Sequence, residues 1–291
     1  MAAPPAARRP DLPGTTPSAT ALLDRTLTEG GLAVQWSGAS GEPVVTVTLD
    51  RPGNRNAQTP ATWHALAAVG DALPGATRVV VLRSTGPTFS SGLDLRMFSA
   101  DGVPGETSLA TVAGLPDAAA DEVIAGYQRG FTWLSDLDVV SIAVVQGAAV
   151  GAGFQLALAC DLRVCADDAR FSMRETTLGL VPDLTGTHPL VREVGYSRAL
   201  QICLTGRWID AADALSLGLA TTVVATGEQD QAAAELVSAV LAAPERAVRA
   251  TSRLLREAYA RPVAEQRHAE RVAQLDLLRA HSAGPGIAPL V

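Results

Sequence analysis

Residues 146–190 read QGAAVGAGFQLALACDLRVCADDARFSMRETTLGLVPDLTGTHPL and carry the strongest fold signal of the chain. An uncharged run rich in Val, residues 141–145, leads into it. Small residues follow, and an apolar segment continues from Leu156. This order predicts a buried strand, a glycine-containing turn and a buried helix.

The same region imitates a membrane span. Residues 139–160 form a run of 22 residues without a charge, close to the roughly 20 that a spanning helix needs. Gln146, Gln155 and three glycines interrupt the run, and its small residues do not suit one continuous helix. We therefore interpret it as part of a soluble core and expect no membrane segment.

Outward from this stretch, strand and helix patterns alternate over residues 32–224, and helical patterns alone fill residues 231–281. This order predicts an α/β core followed by helices. Residues 1–28 are rich in Pro, Ala, Thr and Arg without periodicity, which indicates a disordered tail. We therefore divide the chain into a tail (1–28), an α/β core (29–225) and a helical C-terminal part (226–291).

The charge composition argues against several classes of function. The chain has 23 basic residues, all of them arginine, against 30 acidic ones, and its formal net charge is −7. Binding nucleic acid or an anionic membrane requires a basic face, so neither is expected as a partner. Because the sequence contains no lysine, Schiff-base catalysis by lysine is excluded.

Cysteine and histidine usage indicates a reducing compartment without a metal site. The three cysteines, Cys160, Cys165 and Cys203, are odd in number and lie in apolar surroundings, which is typical of free thiols. The four histidines show no metal-ligand spacing. The N-terminus lacks the apolar core of a secretory signal, so we expect a cytoplasmic protein.

Two loops are candidates for binding an oxygen anion. Residues 88–95 read TFSSGLDL and residues 146–155 read QGAAVGAGFQ, and each joins a strand to a helix. Small residues let a ligand approach the backbone, and a helix N-terminus offers free N–H groups. Two such N–H groups aimed at one oxygen would form an oxyanion hole. A dinucleotide fingerprint is the rival interpretation of Gly151-Ala152-Gly153, but its third glycine position is Leu156.

The sequence resembles the crotonase, or enoyl-CoA hydratase/isomerase, family. The resemblance lies in residues 146–190 and in three further motifs, DRPGNRNA (50–57), FSSGLDL (89–95) and LTGRWIDAADALSLGL (204–219). It implies a spiral of ββα units with a helical C-terminal trimerisation part. It further implies an acyl-CoA thioester substrate, a homotrimer or hexamer, and no cofactor beyond the coenzyme A of the substrate.

The resemblance also assigns catalytic roles. It maps the oxyanion donors to the backbone N–H groups of Ser91 and Ala152, and one catalytic glutamate to Glu175. The other glutamate of family hydratases falls at Gln155, whose amide can orient water but cannot exchange a proton as a carboxyl does. Asp183, eight residues after Glu175, resembles the second carboxylate of dienoyl-CoA isomerases; a helix cap or turn after a proline is the competing interpretation.

Four residues are candidates for binding coenzyme A. Arg51, Arg55, Asp94 and Arg96 lie in loops that resemble the CoA-contacting segments of the family. The arginines could meet phosphates, or they could be solvated surface residues. The acyl chain itself cannot be identified from the sequence.

We expect an enzyme that transfers a proton next to a thioester carbonyl. Double-bond isomerisation of a 3-enoyl- or dienoyl-CoA is preferred, because it needs no activated water. Hydration of an enoyl-CoA with Gln155 orienting the water is the first alternative. Other thioester chemistry and acyl-CoA binding without turnover are the remaining alternatives.

Overall fold

The computed structural model describes residues 17–36, 43–99 and 102–282. The strands of these segments are β1 Leu32–Gln35, β2 Val44–Leu49, β3 Val79–Ser84, β4 Val140–Val145, β5 Ala148–Val150, β6 Leu162–Ala166, β7 Arg170–Ser172, β8 Ile209–Asp210 and β9 Thr222–Val224. The helices are α1 Pro17–Glu29, α2 Pro60–Asp71, α3 Leu109–Ala113, α4 Asp117–Asp136, α5 Ala152–Ala159, α6 Thr187–Val194, α7 Tyr196–Thr205, α8 Ala211–Leu217, α9 Gln229–Ala242, α10 Glu245–Ala258 and α11 Val263–Ser282.

The larger sheet has the strand order β1-β2-β3-β4-β6-β9. Strand β1 is antiparallel to β2, and every other neighbouring pair is parallel. All six residues of β4, VSIAVV, are buried, as expected for a parallel strand covered on both faces. The predicted α/β class is confirmed.

A smaller sheet of order β5-β7-β8 positions Gly151 and Glu175. Strands β5 and β7 run parallel, with Val150 opposite Ser172. Both strands therefore end at the same edge, where the chain continues into Gly151 and towards Glu175. Beneath them, the rings of Phe154 and Phe171 pack with centroids 5.1 Å apart, which fixes the start of α5 against β7.

The predicted tail of residues 1–28 is wrong from Pro17 onward, because α1 occupies residues 17–29. Leu23 and Leu27 are one helical turn apart and pack against the hydrophobic core, and Leu27 is buried. This burial stabilises a helix whose composition alone gives little signal. Residues 1–16 lie outside the described part of the chain.

The uncharged run of residues 139–160 divides into β4, β5 and α5, in agreement with the predicted strand, turn and helix. Helix α5 begins at Ala152, four positions before the apolar segment at Leu156, because the turn at Gly151 directly precedes it. Within the described segments, no helix is long and apolar enough to cross a membrane. Those segments also hold no cluster of three or more His, Cys, Asp or Glu side chains suited to a metal ion.

The chain separates into two compact units between Ala234 and Glu235, later than the boundary predicted after residue 225. The second unit contains α10 and α11, which pack on each other. Neither helix has a fully buried residue. Several of their apolar side chains are exposed, among them Leu255, Tyr259, Val272, Leu275 and Leu278.

Candidate active site

A cavity of about 1070 Å³ lies in the first unit, where the carboxyl ends of several strands meet. Its walls come from the loop at residues 53–57, the loop at 91–96, helices α3 and α4, the first turn of α5 and residues 174–184. Both glycine-containing loops contribute to the wall. A cavity of this size can take a drug-sized ligand.

The two loops touch at Gly92. The Ser90 backbone N–H donates to the Ala148 carbonyl at 3.0 Å, and the Ser90 carbonyl accepts from the Val150 N–H at 3.0 Å. Gly92 has φ +85°, and a Cβ atom there would lie 3.6 Å from the Ala152 nitrogen and collide with the Val150 carbonyl. Glycine is therefore required for the loops to approach this closely.

One of the two predicted oxyanion donors is wrong. The Ser91 N–H donates to the Arg55 carbonyl at 2.9 Å and is not free for a ligand. Its neighbour Leu93 lies between two residues that pair with the backbone of Gln58. Within residues 17–36, 43–99 and 102–282, the Leu93 N–H has no acceptor at hydrogen-bonding distance.

The backbone N–H groups of Leu93 and Ala152 are therefore the two candidates for binding an oxygen anion. Ala152 is the first residue of α5, so its N–H precedes the first hydrogen bond of the helix, Gln155 to Gly151. Both residues line the cavity. Leu93 could not be found by sequence reasoning, because the register of FSSGLDL does not show which N–H the neighbouring loop engages.

Glu175 is buried at the first turn of the 3-10 helix Glu175–Leu178, and it lines the cavity. Its Oε1 accepts a 2.6 Å hydrogen bond from the Gln155 amide. Its Oε2 is buried and has no hydrogen-bond partner in the described part of the chain. Burial raises the pKa of this carboxyl, and the Asp183 charge adds to the increase, whereas backbone and Gln155 hydrogen bonds oppose it.

Gln155 lies behind Glu175 and is not part of the cavity wall. Its side chain is buried, and its Oε1 accepts from the backbone N–H groups of Leu184 at 2.9 Å and Gly186 at 3.2 Å. Because those donors require an oxygen, the amide nitrogen must point at Glu175. The predicted role of Gln155 as a direct water ligand receives no support from this geometry.

Asp183 lies in the cavity wall, and its negative charge is near enough to Glu175 to raise the pKa of that carboxyl. The Gln128 amide donates to the Asp183 carbonyl at 2.7 Å and ties this loop to α4. Asp183 is exposed as a residue, but the surrounding wall excludes part of the water from its carboxyl and raises its pKa. It caps no helix, because the N-cap of α6 is Gly186.

The four candidate CoA ligands separate into two groups. Arg51 is turned inward: its guanidinium donates to the Ala57 carbonyl and to Thr62 Oγ1, and it is not in the cavity wall, so this geometry does not support its predicted role as a CoA ligand. The other three candidates line the cavity: Arg55, Asp94 and Arg96.

Asp94 binds the guanidinium of Arg96 with both carboxylate oxygens. Its Oδ2 accepts from the Arg96 Nη2 at 2.7 Å, and its Oδ1 accepts from the Arg96 Nε at 3.0 Å. These hydrogen bonds keep the pKa of the Asp94 carboxyl below its usual value. Asp94 is buried, whereas the Arg96 side chain is 59% exposed, so Asp94 holds the exposed guanidinium of Arg96 in a fixed position at the cavity.

The part of the cavity next to α2, α3 and α4 is apolar. Trp63 and Tyr127 form its aromatic wall, with ring centroids 4.9 Å apart. Gly130 of α4 packs directly on the Trp63 backbone, where a Cβ would come within 2.5 Å of the Trp63 carbonyl oxygen. Aliphatic side chains of α3, α4 and the segment between them complete the wall. This arm suits a hydrocarbon chain.

The sequence model of the family described as "Enoyl-CoA hydratase/isomerase" matches residues 39–287. Among curated relatives, the probable enoyl-CoA hydratase 2, mitochondrial, of Arabidopsis thaliana is 31% identical over 69% of this chain and 63% of its own. The carnitinyl-CoA dehydratase of Salmonella typhi is 33% identical over 77% of this chain and 80% of its own. The chain thus spans just under two thirds of the Arabidopsis relative.

Solved structures with this architecture include complexes with coenzyme A. A Thermobifida fusca YX protein, assigned provisionally as an enoyl-CoA hydratase, is 50% identical with a TM-score of 0.83 in its complex with CoA. That match covers 89% of this chain and 97% of the other. The same protein has been solved with acetoacetyl-CoA, with a TM-score of 0.82. The enoyl-CoA hydratase from Bacillus anthracis is 25% identical with a TM-score of 0.73 and covers 86% of this chain and 91% of its own.

Proposed function

The chain belongs to the enoyl-CoA hydratase/isomerase family, and we propose that it moves the double bond of an enoyl-CoA thioester. The observation that carries this proposal is the surroundings of Glu175. The buried carboxylate of Glu175 reaches the cavity, and the side chain hydrogen-bonded to it is the Gln155 amide, which cannot exchange a proton. A proton shuttled by one base needs no second carboxylate behind it.

The reaction begins at the thioester carbonyl. Its oxygen binds between the N–H groups of Leu93 and Ala152, and negative charge develops there when a proton leaves C2. Each such donor is worth about 3–4 kcal/mol to the transition state. A dienolate forms from a 3-enoyl-CoA, and its charge is shared between the oxygen, C2 and C4.

Glu175 acts as the base and then as the acid. Its unpaired Oε2 is the atom available for the C2 proton, while Gln155 holds Oε1. Because burial raises the pKa of this carboxyl, the carboxylate is a stronger base than that of an exposed glutamate. Delivery to C4 completes a shift of the proton by two carbons.

Asp183 extends this chemistry to a 3,5-dienoyl-CoA. It lines the same cavity as Glu175. With its pKa raised, a share of this carboxyl is protonated at a higher pH than is usual for aspartate. It is the group we assign to protonate C6 while Glu175 removes the C2 proton.

Hydration is the alternative, and the names of several relatives favour it. A hydratase of this kind would use Glu175 to activate water and the amide of Gln155 to orient it. The direct 2.6 Å bond between the two side chains argues against a water between them. Acyl-CoA binding without turnover is disfavoured, because burying Glu175 with an unpaired oxygen is costly and serves no purpose in binding alone.

The test is an activity screen with 3-enoyl-, 3,5-dienoyl- and 2-enoyl-CoA in deuterated buffer, with products identified by NMR and mass. We expect double-bond shifts to be faster than hydration. Asp183→Asn should reduce turnover of the dienoyl ester about 10²-fold or more and spare the 3-enoyl ester. Asp117→Asn, at another carboxylate of the cavity wall, is the matched control. Hydration as the fastest reaction would overturn the proposal.

A further inference from the structure

Gln58 is a buried polar residue that contacts the loop at residues 88–95 but does not line the cavity. Its N–H donates to the Gly92 carbonyl at 2.7 Å, and its carbonyl accepts from the Asp94 N–H at 2.8 Å. These two bonds form an isolated parallel bridge opposite Leu93. In a β-bridge of this kind the residue between the two bonded neighbours points its own N–H away from the partner.

The side chain of Gln58 secures the same loop a second time. Its Nε2 donates to Ser90 Oγ at 3.1 Å, and Ser90 Oγ in turn accepts from the Gly92 N–H at 3.2 Å. Ser90 Oγ completes its bonding by donating to the Asn56 carbonyl at 2.7 Å. Gln58 therefore holds the loop through main chain and side chain together.

The other end of the amide reaches the apolar arm of the cavity. Gln58 Oε1 accepts from the Trp63 indole N–H at 2.8 Å. Trp63 is part of the wall described above. The fully buried Gln58 amide thus joins the apolar arm of the cavity to the loop at residues 88–95, which carries the Leu93 N–H. A buried hydrogen-bond network keeps one arrangement when every donor and acceptor in it is paired.

We propose that Gln58 is the positioning residue of the oxyanion hole. It sets the direction of the Leu93 N–H and couples that donor to the position of Trp63. This inference rests on the proposed function, because it assumes that a thioester oxygen binds at Leu93. Gln58 itself touches neither substrate nor reacting atoms.

The test is Gln58→Met, which keeps the main-chain bridge and the side-chain length but removes both amide contacts. A small displacement of the Leu93 N–H lowers transition-state stabilisation more than ground-state binding, so kcat should fall about 10- to 100-fold. The Michaelis constant for the same ester should change by about twofold or less, since the rest of the pocket is unaltered.

A second variant covers the case in which Gln58→Met does not fold. Ser90→Ala removes the link between Gln58 and the Gly92 N–H and should lower kcat in the same way. Its matched control is Ser141→Ala. Ser141 is equally buried and exchanges hydrogen bonds of 2.9 Å and 2.8 Å with Asp161, and it is not in the cavity wall. This control should lose stability and keep kcat.

A binding measurement separates this inference from the proposed function. A conjugated 2,4-dienoyl-CoA absorbs at longer wavelength when its carbonyl is polarised, and the shift requires binding but no turnover. We expect a red shift with Glu175→Gln and a reduced shift when Gln58→Met is added. If adding Gln58→Met left the red shift unchanged, and Gln58→Met alone left kcat unchanged, the positioning role would be overturned. Failure of the wild type to turn over any enoyl ester, with the shift intact, would overturn only the proposed function.

Discussion

The Gln155 amide donates a 2.6 Å hydrogen bond to Oε1 of Glu175, while its own oxygen is held by the N–H groups of Leu184 and Gly186. The donor end of Gln155 therefore cannot rotate away. Of the two Glu175 oxygens, only Oε2 is left without a hydrogen bond in the described part of the chain. Oε2 is therefore the atom that transfers the proton in the proposed reaction, and the first two predictions depend on it.

Replacing Glu175 with glutamine should abolish isomerisation and leave binding of the CoA ester nearly intact. A positioned base contributes about 10²–10⁴ in rate, and the amide preserves the shape of the site. Turnover is measured by NMR and binding by calorimetry. Glu193→Gln is the matched control: Glu193 is a largely buried glutamate with a raised pKa, but it pairs with Arg163 away from the cavity. Half of the wild-type activity in Glu175→Gln would exclude this residue as the base.

Replacing Gln155 with glutamate should move the acid limb of the pH–rate profile to higher pH. The new carboxylate oxygen would face Glu175 Oε1 at hydrogen-bonding distance, so the two groups must share a proton. Glu175 acts as a base when ionised, so a higher pKa removes activity at a higher pH. Rates across pH 6–9 measure the shift.

The same substitution should raise hydration of 2-enoyl-CoA by about tenfold or more, because a second carboxyl can exchange a proton with water. Gln155→Met separates the two effects. It removes the hydrogen bond that lowers the pKa of Glu175, so the acid limb moves in the same direction without a gain in hydration. Brisk hydration by the wild type would contradict the isomerase assignment.

Replacing Gly151 with alanine should lower both stability and kcat. Gly151 has φ +50°, and a Cβ there would lie 3.1 Å from Glu175 Oε1, displacing the carboxylate. Gly179→Ala is the control, because Gly179 has φ +76° with nothing within 4 Å of its Cβ position. Each substitution costs about 1–3 kcal/mol in backbone strain, but the control should keep its kcat. Thermal unfolding and steady-state kinetics measure the difference, and equal kcat values in the two variants would contradict the contact.

Replacing Arg96 with glutamine should raise the Michaelis constant for acyl-CoA and leave that for the corresponding acyl-pantetheine unchanged. The guanidinium held by Asp94 is available for phosphates, which acyl-pantetheine lacks. The wild-type constant for acyl-CoA should also rise with salt. Arg25→Gln, at an exposed arginine paired with Glu29 on α1, is the control. Equal effects on both esters would contradict a role in phosphate binding.

We propose a trimer or a dimer of trimers in solution. Leu255, Val272, Leu275 and Leu278 are exposed on α10 and α11, and apolar side chains in such number suit a partner surface. Light scattering should give three or six times the chain mass of 30.0 kDa. A stable monomer would contradict the proposal, and Leu275→Glu should weaken the assembly while Gln274→Glu should not.

Features that depend on local patterns could be predicted from the amino-acid sequence. The α/β class follows from the alternation of strand and helix patterns, and the turn at Gly151 follows from small residues between a strand and a helix. Ala152 and Glu175 were identified from the local motifs that carry the family resemblance, and both line the cavity. These features are set by neighbours in the chain.

Which backbone and side-chain donors are free for a ligand depends on contacts between segments that are distant in sequence. Ser91 loses its N–H to Arg55, and Leu93 keeps its own because Gln58, from another loop, pairs on either side of it. Arg51 turns inward to Ala57 and Thr62, although its motif placed it among the CoA ligands. The physical reason is that every buried donor must find an acceptor, and the acceptor nearest in space comes from a segment that is distant in sequence.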